Sequence, residues 1–236
     1  MGTLKGQRVL VVGRGSGIAR AITDAARAQG AHLIVAGRQT DLLETAYHGD
    51  GVDVCFVDVT YEESIAALAR AVGSVDHVVV TPSARARAPL AELAGESVLL
   101  ALRTKVYGSL MLAKHFASRI NDGGSLVLFS GATATQPAPN MTAIAATNGA
   151  VSSLARSLAV EISPVRVNAV APGTVDSGAW DALGPAKDDF MSVRAQRNPV
   201  GRVGVPDDVA DAALFLMGST FVTGVTLPVD GGETLA

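Results

Sequence analysis

Short apolar runs recur along the whole chain, and most are followed by a turn and then by a segment whose apolar positions have helical spacing. The runs are rich in valine, leucine and isoleucine and rarely alternate with polar residues, which is typical of strands buried on both faces of a sheet. The pattern predicts seven strands, at 8–13, 32–37, 52–59, 76–81, 124–131, 165–173 and 225–232.

Six segments between these runs are predicted as helices, at 18–30, 38–46, 62–72, 98–120, 140–162 and 206–217. Strands that alternate with helices form a parallel sheet through right-handed crossovers. The sequence therefore predicts an α/β fold: a Rossmann-type, doubly wound parallel sheet of about seven strands with helices on both faces, in three αβα layers. It contains no internal repeat and no linker, so we expect a single domain spanning 1–236.

The composition limits the classes of partner. The 236-residue chain is 48% hydrophobic, yet none of its apolar runs approaches the ~20 residues that a membrane span needs. A net charge of −3 gives no basic footprint for nucleic acid. The four histidines have no metal-ligand spacing, and no signal-peptide pattern precedes the first strand. We expect a cytoplasmic protein that binds a small molecule and neither nucleic acid, membrane nor metal.

A glycine-rich turn, "VVGRGSGIAR", joins the first strand to the first helix. Gly13, Gly15 and Gly17 allow a tight turn and bring backbone N–H groups close to a pyrophosphate, and the helix N-terminus adds its positive end. The spacing is G-x-x-x-G-x-G with Ala19 at the last position, rather than G-x-G-x-x-G, because the sixth residue is Ile18. This turn predicts a dinucleotide site.

The end of the second strand indicates which dinucleotide is bound. An acid there would bind the adenosine ribose hydroxyls, but the sequence has Gly37 and Arg38 instead. Glycine leaves room, and an arginine can bind a 2′-phosphate, so we expect NADP(H) in preference to NAD(H). The alternative is that Arg38 is a solvated residue of the loop that begins the next helix. Arg14, inside the turn, either adds to the phosphate field or points to solvent.

Several stretches resemble the short-chain dehydrogenase/reductase family, among them "VVGRGSGIA", "VDVT", "RVNAVAPGTVDS", "GRVGVPDDVADAALFLMGS" and "VTGVTLPVDGG". The resemblance covers essentially the whole chain. It implies that Asp58, with Val59 beside it, contacts the adenine ring, and that Pro172 and Gly173 lie along the nicotinamide. Ser177 occupies the position of a threonine that holds the nicotinamide amide.

The chain departs from this family at all four positions of the usual catalytic tetrad. The asparagine position holds Lys105, and the serine position holds Gly131, with Ser130 beside it. The tyrosine position holds Ile144 and the lysine position holds Asn148. Isoleucine has no proton to transfer and glycine has no hydroxyl, so the family's usual proton donor and carbonyl-orienting group are both missing.

Relative to the family, lysine and asparagine occupy exchanged positions on the fourth and fifth predicted helices. One interpretation places Lys105 in the pocket, where its cation grips the ribose or acts as a general acid beside Asn148. The other leaves Lys105 along the helix surface or facing a partner chain. We consider Lys105, Asn148 and Ser130 candidate catalytic residues.

Two further features lie outside the tetrad. Arg85 and Arg87, in "SARARAP", either meet an anionic substrate or belong to a solvated loop. Trp180 lies in the segment that, by resemblance, forms the substrate lid. The resemblance also implies a homodimer or homotetramer assembled through the fourth and fifth helices.

Three functions remain open. The first is an NAD(P)-dependent oxidoreductase that transfers hydride between a carbonyl and an alcohol at an altered site. The second is an NADP-binding pseudo-oxidoreductase that serves as a sensor or assembly partner. The third is a non-redox enzyme on the same fold, such as a dehydratase or a cyclase.

Overall fold

The computed structural model describes residues 4–236, whose seven strands form one parallel sheet in the order β3-β2-β1-β4-β5-β6-β7. The strands are β1 Arg8–Val12, β2 His32–Gly37, β3 Asp53–Phe56, β4 Val75–Val80, β5 Ile120–Phe129, β6 Arg166–Pro172 and β7 Thr226–Val229. Every pairing between neighbours is parallel, which confirms the predicted doubly wound sheet.

Seven longer helices connect the strands. They are α1 Gly17–Ala28, α2 Thr40–Ala46, α3 Glu62–Val72, α4, α5 Thr142–Glu161, α6 Lys187–Arg197 and α7 Pro206–Gly218. Helix α4 is continuous but has three parts, Gly95–Ala101, a π-helical segment Leu102–Tyr107, and Gly108–Phe116. Within residues 4–236, no helix is long and apolar enough to cross a membrane.

Two separate hydrophobic cores cover the two faces of the sheet. On one face α3, α4 and α5 pack through residues such as Ile65, Phe116 and Leu158. On the other face α1 and α7 pack through Ile22 and Leu216. Burial of apolar surface on both faces gives the expected three layers and explains the uninterrupted valine-rich strands.

The strand order reverses between β1 and β4, because β2 and β3 lie to one side of β1 and the later strands to the other. In open α/β sheets, ligands bind outside the carboxyl ends of the strands at such a switch point. The glycine-rich turn follows β1 and the segment "TPSARARAP" follows β4, so both lie at this edge.

Several predicted boundaries were wrong, among them those of β3, which was predicted at 52–59, and β5, which was predicted at 124–131, and one helix was missed. The fourth helix ends at Phe116 rather than at 120, and Ile120 already belongs to β5. Helix α6 was not predicted, because its stretch is polar and is preceded by Gly184 and Pro185. The π-helical segment also left no sequence signal, although such segments are frequent at functional sites.

Candidate functional site

A cleft of about 890 Å³ opens at the carboxyl ends of β1, β4, β5 and β6. The residues predicted to bind the cofactor all line it: Gly13, Arg14, Gly15, Gly17, Ile18, Arg38, Asp58, Val59, Pro172, Gly173 and Ser177. Lys105, Ser130, Asn148 and Ile144 line it as well, whereas Tyr107 is not among its lining residues. One cleft thus joins the glycine-rich turn to the four positions at which the sequence predicts a departure from the family's catalytic tetrad.

The glycine-rich turn is built for close approach. Gly17 has φ +59°, which side chains rarely adopt, and a Cβ there would lie 2.5 Å from the Ser177 carbonyl oxygen. A Cβ on Gly13 would overlap the Thr81 hydroxyl. Ser16, the N-cap of α1, makes no side-chain capping bond, so the first N–H groups of α1 have no side-chain cap. These features fit a pyrophosphate at the start of α1.

Gly15 has a packing role. A Cβ at this position would lie 2.7 Å from the Cβ of Ala46, at the end of α2. The absence of a side chain therefore lets the turn pack against α2, in addition to leaving backbone near the cleft.

The adenosine end of the cleft carries two cations. Arg14 and Arg38 are exposed, and neither forms an ion pair with any acid among residues 4–236. Asp58 follows β3, the strand that pairs with β2. Its side chain accepts hydrogen bonds from the Thr60 N–H at 2.9 Å and the Thr60 hydroxyl at 2.7 Å. The two guanidinium groups are thus available to a phosphate.

Lys105 points into the cleft and is 7% exposed. Its Nζ donates to the Ser130 carbonyl at 2.9 Å and to Asn148 Oδ1. The alternative that placed this side chain along the helix surface is therefore wrong. The π-helical segment of α4 contains Lys105, and the hydrogen bond brings the side chains from α4 and α5 together.

Asn148 has a fixed orientation. Its Nδ2 donates to the Thr133 hydroxyl at 2.7 Å, so its Oδ1 faces Lys105. The hydroxyl of Ser130 donates to the Asn148 carbonyl at 2.9 Å and lies 2.8 Å from the Ser152 hydroxyl. Ser130 thus accepts the lysine hydrogen bond with its backbone carbonyl, while its hydroxyl forms hydrogen bonds with α5.

The Lys105 ammonium is buried without a carboxylate partner among the described residues. Burial, and secondarily the charge of Arg85, lowers the pKa of Lys105 to about 8. A pKa in this range lies close to the pH at which a positioned acid or base works best.

Gly131 is the position that the Lys105–Asn148 pair depends on. A Cβ there would lie 2.6 Å from Asn148 Nδ2, so a serine at 131 and the present Asn148 conformation exclude each other. The backbone at Gly131 is extended, with φ 168°, so the constraint is one of space only. The glycine at 131 therefore leaves the space that the Asn148 amide occupies.

The sequence did not predict one set of contacts at the site, which we call the Glu233 latch. Glu233, close to the end of the chain, accepts hydrogen bonds from the Thr174 N–H at 2.6 Å and the Arg194 guanidinium at 3.2 Å. It thereby ties α6 to the segment after β6. Only the fold brings these positions together, because they are 39 or more residues apart.

We predict that Gly131→Ala lowers the free energy of unfolding by about 1–3 kcal/mol, because Asn148 must turn away and leave buried partners unsatisfied. In an Asn148→Ala background, Gly131→Ala should cost much less, since the two changes share one contact. Urea denaturation measures both.

Gly149→Ala is the matched control, because an added Cβ there meets no heavy atom within 4 Å and the position lies inside α5. It should leave stability unchanged or raise it by about 0.5–1 kcal/mol. A Gly131→Ala variant as stable as the parent chain would contradict the packing described here.

Comparisons with known proteins identify the family of the chain. Residues 12–234 match the family model described as "Enoyl-(Acyl carrier protein) reductase". The chain is 33% identical over 242 residues to L-xylulose reductase of Bos taurus, covering 97% of each chain. It is 34% identical over 250 residues to cis-4-hydroxycyclohexanecarboxylate dehydrogenase of Sinomonas cyclohexanicum, covering 99% of each.

A solved structure with the same fold is MalC reductase/Diels-Alderase from Malbranchea aurantiaca, with a TM-score of 0.92, 27% identity and coverage of 99% of this chain and 98% of that one. Another, a small-chain dehydrogenase in complex with NADPH, has a TM-score of 0.85, 28% identity and coverage of 98% and 100%. Because the family model covers nearly the whole chain and the curated relatives exceed 30% identity, the chain belongs to the short-chain dehydrogenase/reductase family of nicotinamide-dependent oxidoreductases.

Proposed function

We propose that this protein is an NADP(H)-dependent oxidoreductase that interconverts a carbonyl and an alcohol of a small molecule, with Lys105 as its proton donor and acceptor. The observation that carries the proposal is the single cleft in which a nucleotide cradle faces a buried, hydrogen-bonded lysine. When bound, the nicotinamide supplies or takes up the hydride at the substrate carbon.

The proton is the protein's contribution. Lys105 donates two of its three N–H groups to oxygens of Ser130 and Asn148. The third N–H is left to donate to the substrate oxygen. In reduction, the ammonium donates a proton to the developing alkoxide, and in oxidation the neutral amine removes the alcohol proton. Because the site is buried, a cation also stabilises the developing oxyanion more than it would in water.

Asn148 and Ser130 act as positioning residues. The Thr133 hydroxyl fixes the amide of Asn148, and the amide in turn fixes Lys105 Nζ. A lysine side chain has many rotamers, so these acceptors remove most of the conformational freedom that would otherwise oppose proton transfer.

The preference for NADP(H) rests on the adenosine end of the cleft. Arg14 and Arg38 are exposed there without an acidic partner in the described chain, and the β2 end holds glycine where an acid would favour NAD(H). The related structure in complex with NADPH supports the same choice.

We predict that Lys105→Met lowers the rate of NADPH oxidation by a carbonyl substrate by about 10²–10⁴-fold, the usual contribution of a positioned acid. In the parent enzyme, kcat/KM for reduction should fall as the pH rises through about 8, because the ammonium is lost. For alcohol oxidation, it should rise through the same pH. Steady-state kinetics across pH 6–10 (a range of about two units on either side) test this.

Lys114→Met removes an exposed lysine that is paired with Glu62 outside the cleft, and it should keep the parent rate and pH profile. If Lys105→Met retained the inflection near the same pH, another group would carry the proton and Lys105 would have no such role.

We predict that Arg38→Ala raises the dissociation constant of NADPH by about tenfold or more and leaves that of NADH unchanged, because only NADPH has the 2′-phosphate. Arg70→Ala, an exposed arginine on α3, is the control. Nucleotide fluorescence titrations measure both constants. Equal effects on the two nucleotides, or none, would assign Arg38 to solvent.

We propose a homodimer through α4 and α5. Four leucines of α4 are exposed in the single chain, namely Leu99 at 53%, Leu100 at 49%, Leu102 at 38% and Leu110 at 38%. Val160 of α5 is 81% exposed. Apolar side chains concentrated on these two helices favour a second copy of this chain as the group that covers them.

The variant carrying Leu99→Glu and Leu100→Glu is expected to be monomeric, because charges would have to be buried at the interface. Val193→Glu, at an exposed valine of α6, should leave the assembly unchanged. Sedimentation velocity gives the answer directly. A parent chain that sediments as a monomer, or a Leu99/Leu100 variant that still dimerises, would refute this interface.

A second candidate function is a non-redox cyclisation in the same cleft. The positions of the family's serine and tyrosine hold Gly131 and Ile144, which present no hydroxyl to a ligand. The structural relative named a reductase/Diels-Alderase joins both activities in its name. Product formation without consumption of NADPH would favour this candidate over hydride transfer.

A further inference from the structure

The cleft carries an excess of positive charge, although the chain as a whole has a net charge of −3. The acids that line it are Asp58 and Glu233. The cations that line it are Arg14, Arg38, Arg85, Arg87, Lys105 and Arg194. Arg14 and Arg38 lie at the end proposed to bind the phosphate, Lys105 lies at the candidate catalytic site, and Arg194 contacts Glu233. Arg85 and Arg87 have no such role.

Both arginines are held at the mouth of the cleft by the alternation in "SARARAP". Arg85 and Arg87 are exposed, while Ala86 between them is 2% exposed. Ala86 packs against Ala101 of α4 and Ala143 of α5. Because the middle residue is anchored in this small core, its two neighbours project together away from it and toward the cleft.

Trp180 positions the two guanidinium groups from the opposite side. The Arg85 guanidinium lies 5.0 Å from the centre of the indole ring and that of Arg87 lies 6.0 Å from it. Arg85 also donates to the Ala179 carbonyl at 3.1 Å. The indole itself is fixed by its Nε1–H, which donates to the Val175 carbonyl at 3.1 Å, and by the Phe190 ring at 4.7 Å.

These cations lack a counter-ion. Among residues 4–236, no acidic side chain lies within ion-pair distance of Arg85 or Arg87. Arg85 is exposed as a whole residue, but the partial burial of its guanidinium, followed by the charges of Arg14 and Arg87, lowers its pKa. The group remains a cation at neutral pH and lies close to other cations. An anion between the two guanidinium groups would relieve this repulsion.

We propose that Arg85 and Arg87 bind a carboxylate of the substrate, so that the enzyme acts on carbonyl or hydroxy compounds that carry a carboxylic acid. This inference rests on the proposed function and names its substrate class. Most Arg85 N–H donors remain after its bond to Ala179, and a planar guanidinium matches a carboxylate through paired hydrogen bonds. The indole of Trp180 and the side chains of Met141 and Ile144 provide apolar lining for the body of the molecule.

The protein contains its own probe for this site, because Trp180 is the only tryptophan of the chain. An anion bound against Arg85 and Arg87 would change the surroundings of the indole and hence its fluorescence. We would titrate the NADP⁺ complex, at constant ionic strength, with acetate, butanoate and cyclohexanecarboxylate and with the amide of each acid. None of these probes has a ketone, aldehyde or alcohol to turn over.

At least one acid of the series should change the fluorescence saturably and bind about tenfold or more tightly than its amide, the difference expected for a charge-assisted pair. Arg85→Gln and Arg87→Gln should each weaken that acid by about tenfold, and Arg85→Lys should retain part of the affinity. Arg70→Gln, far from the cleft on α3, should bind like the parent chain.

Equal affinities for acids and amides throughout the series would overturn the proposal. So would Arg85→Gln and Arg87→Gln variants that keep the parent affinity for the acid, or that weaken NADP⁺ instead, since the arginines would then serve the cofactor. Failure of the proposed function would appear differently, as acid binding without any NADPH oxidation by a panel of keto acids. Circular dichroism establishes that each variant is folded.

Discussion

The site depends on the burial of Lys105, whose ammonium is hydrogen-bonded to neutral oxygens and not to a carboxylate. Nζ of Lys105 enters the cleft floor from α4 and is held by two neutral oxygens, one on the Asn148 side chain and one on the Ser130 backbone. Moving a charge out of water is costly unless it is hydrogen-bonded or loses its proton, and this amine has both options available near pH 8. The same contact joins α4, β5 and α5, so the arrangement that tunes the amine also fixes its position.

Gly131, Asn148 and Lys105 form a connected set of contacts on the cleft floor. A glycine at 131 leaves the volume in which the Asn148 amide lies, and Thr133 fixes which end of that amide faces the lysine. A cation from α4 and an amide from α5 therefore face each other in the pocket. With Arg85 and Arg87 at the mouth, the cleft combines a proton-exchanging amine with a cationic rim, which suits an anionic substrate better than a neutral one.

The sequence predicted the parts of the fold that local patterns encode. The strands, the crossover helices and the glycine-rich turn all have short-range signatures, namely apolar runs, helical periodicity and a spacing of glycines. The direction of Lys105 could not be predicted in this way, because the π-helical segment that contains it alters the helical register without leaving a mark on apolar spacing. The contact of Glu233 with Thr174 and Arg194, and the meeting of Arg85 with Trp180, join distant segments and depend on the completed fold.

We propose that the site needs one cation facing one amide across the cleft floor, with the cation on either α4 or α5. The most direct test exchanges them, comparing Lys105→Asn, Asn148→Lys and the double variant by their rates of NADPH-dependent carbonyl reduction. The first single change removes the cation and the second places two ammonium groups in contact, so each should lose about 100-fold or more. The double variant should recover to within about tenfold of the parent, because the coupled changes restore the pair. A double variant no faster than the slower single variant would contradict the account.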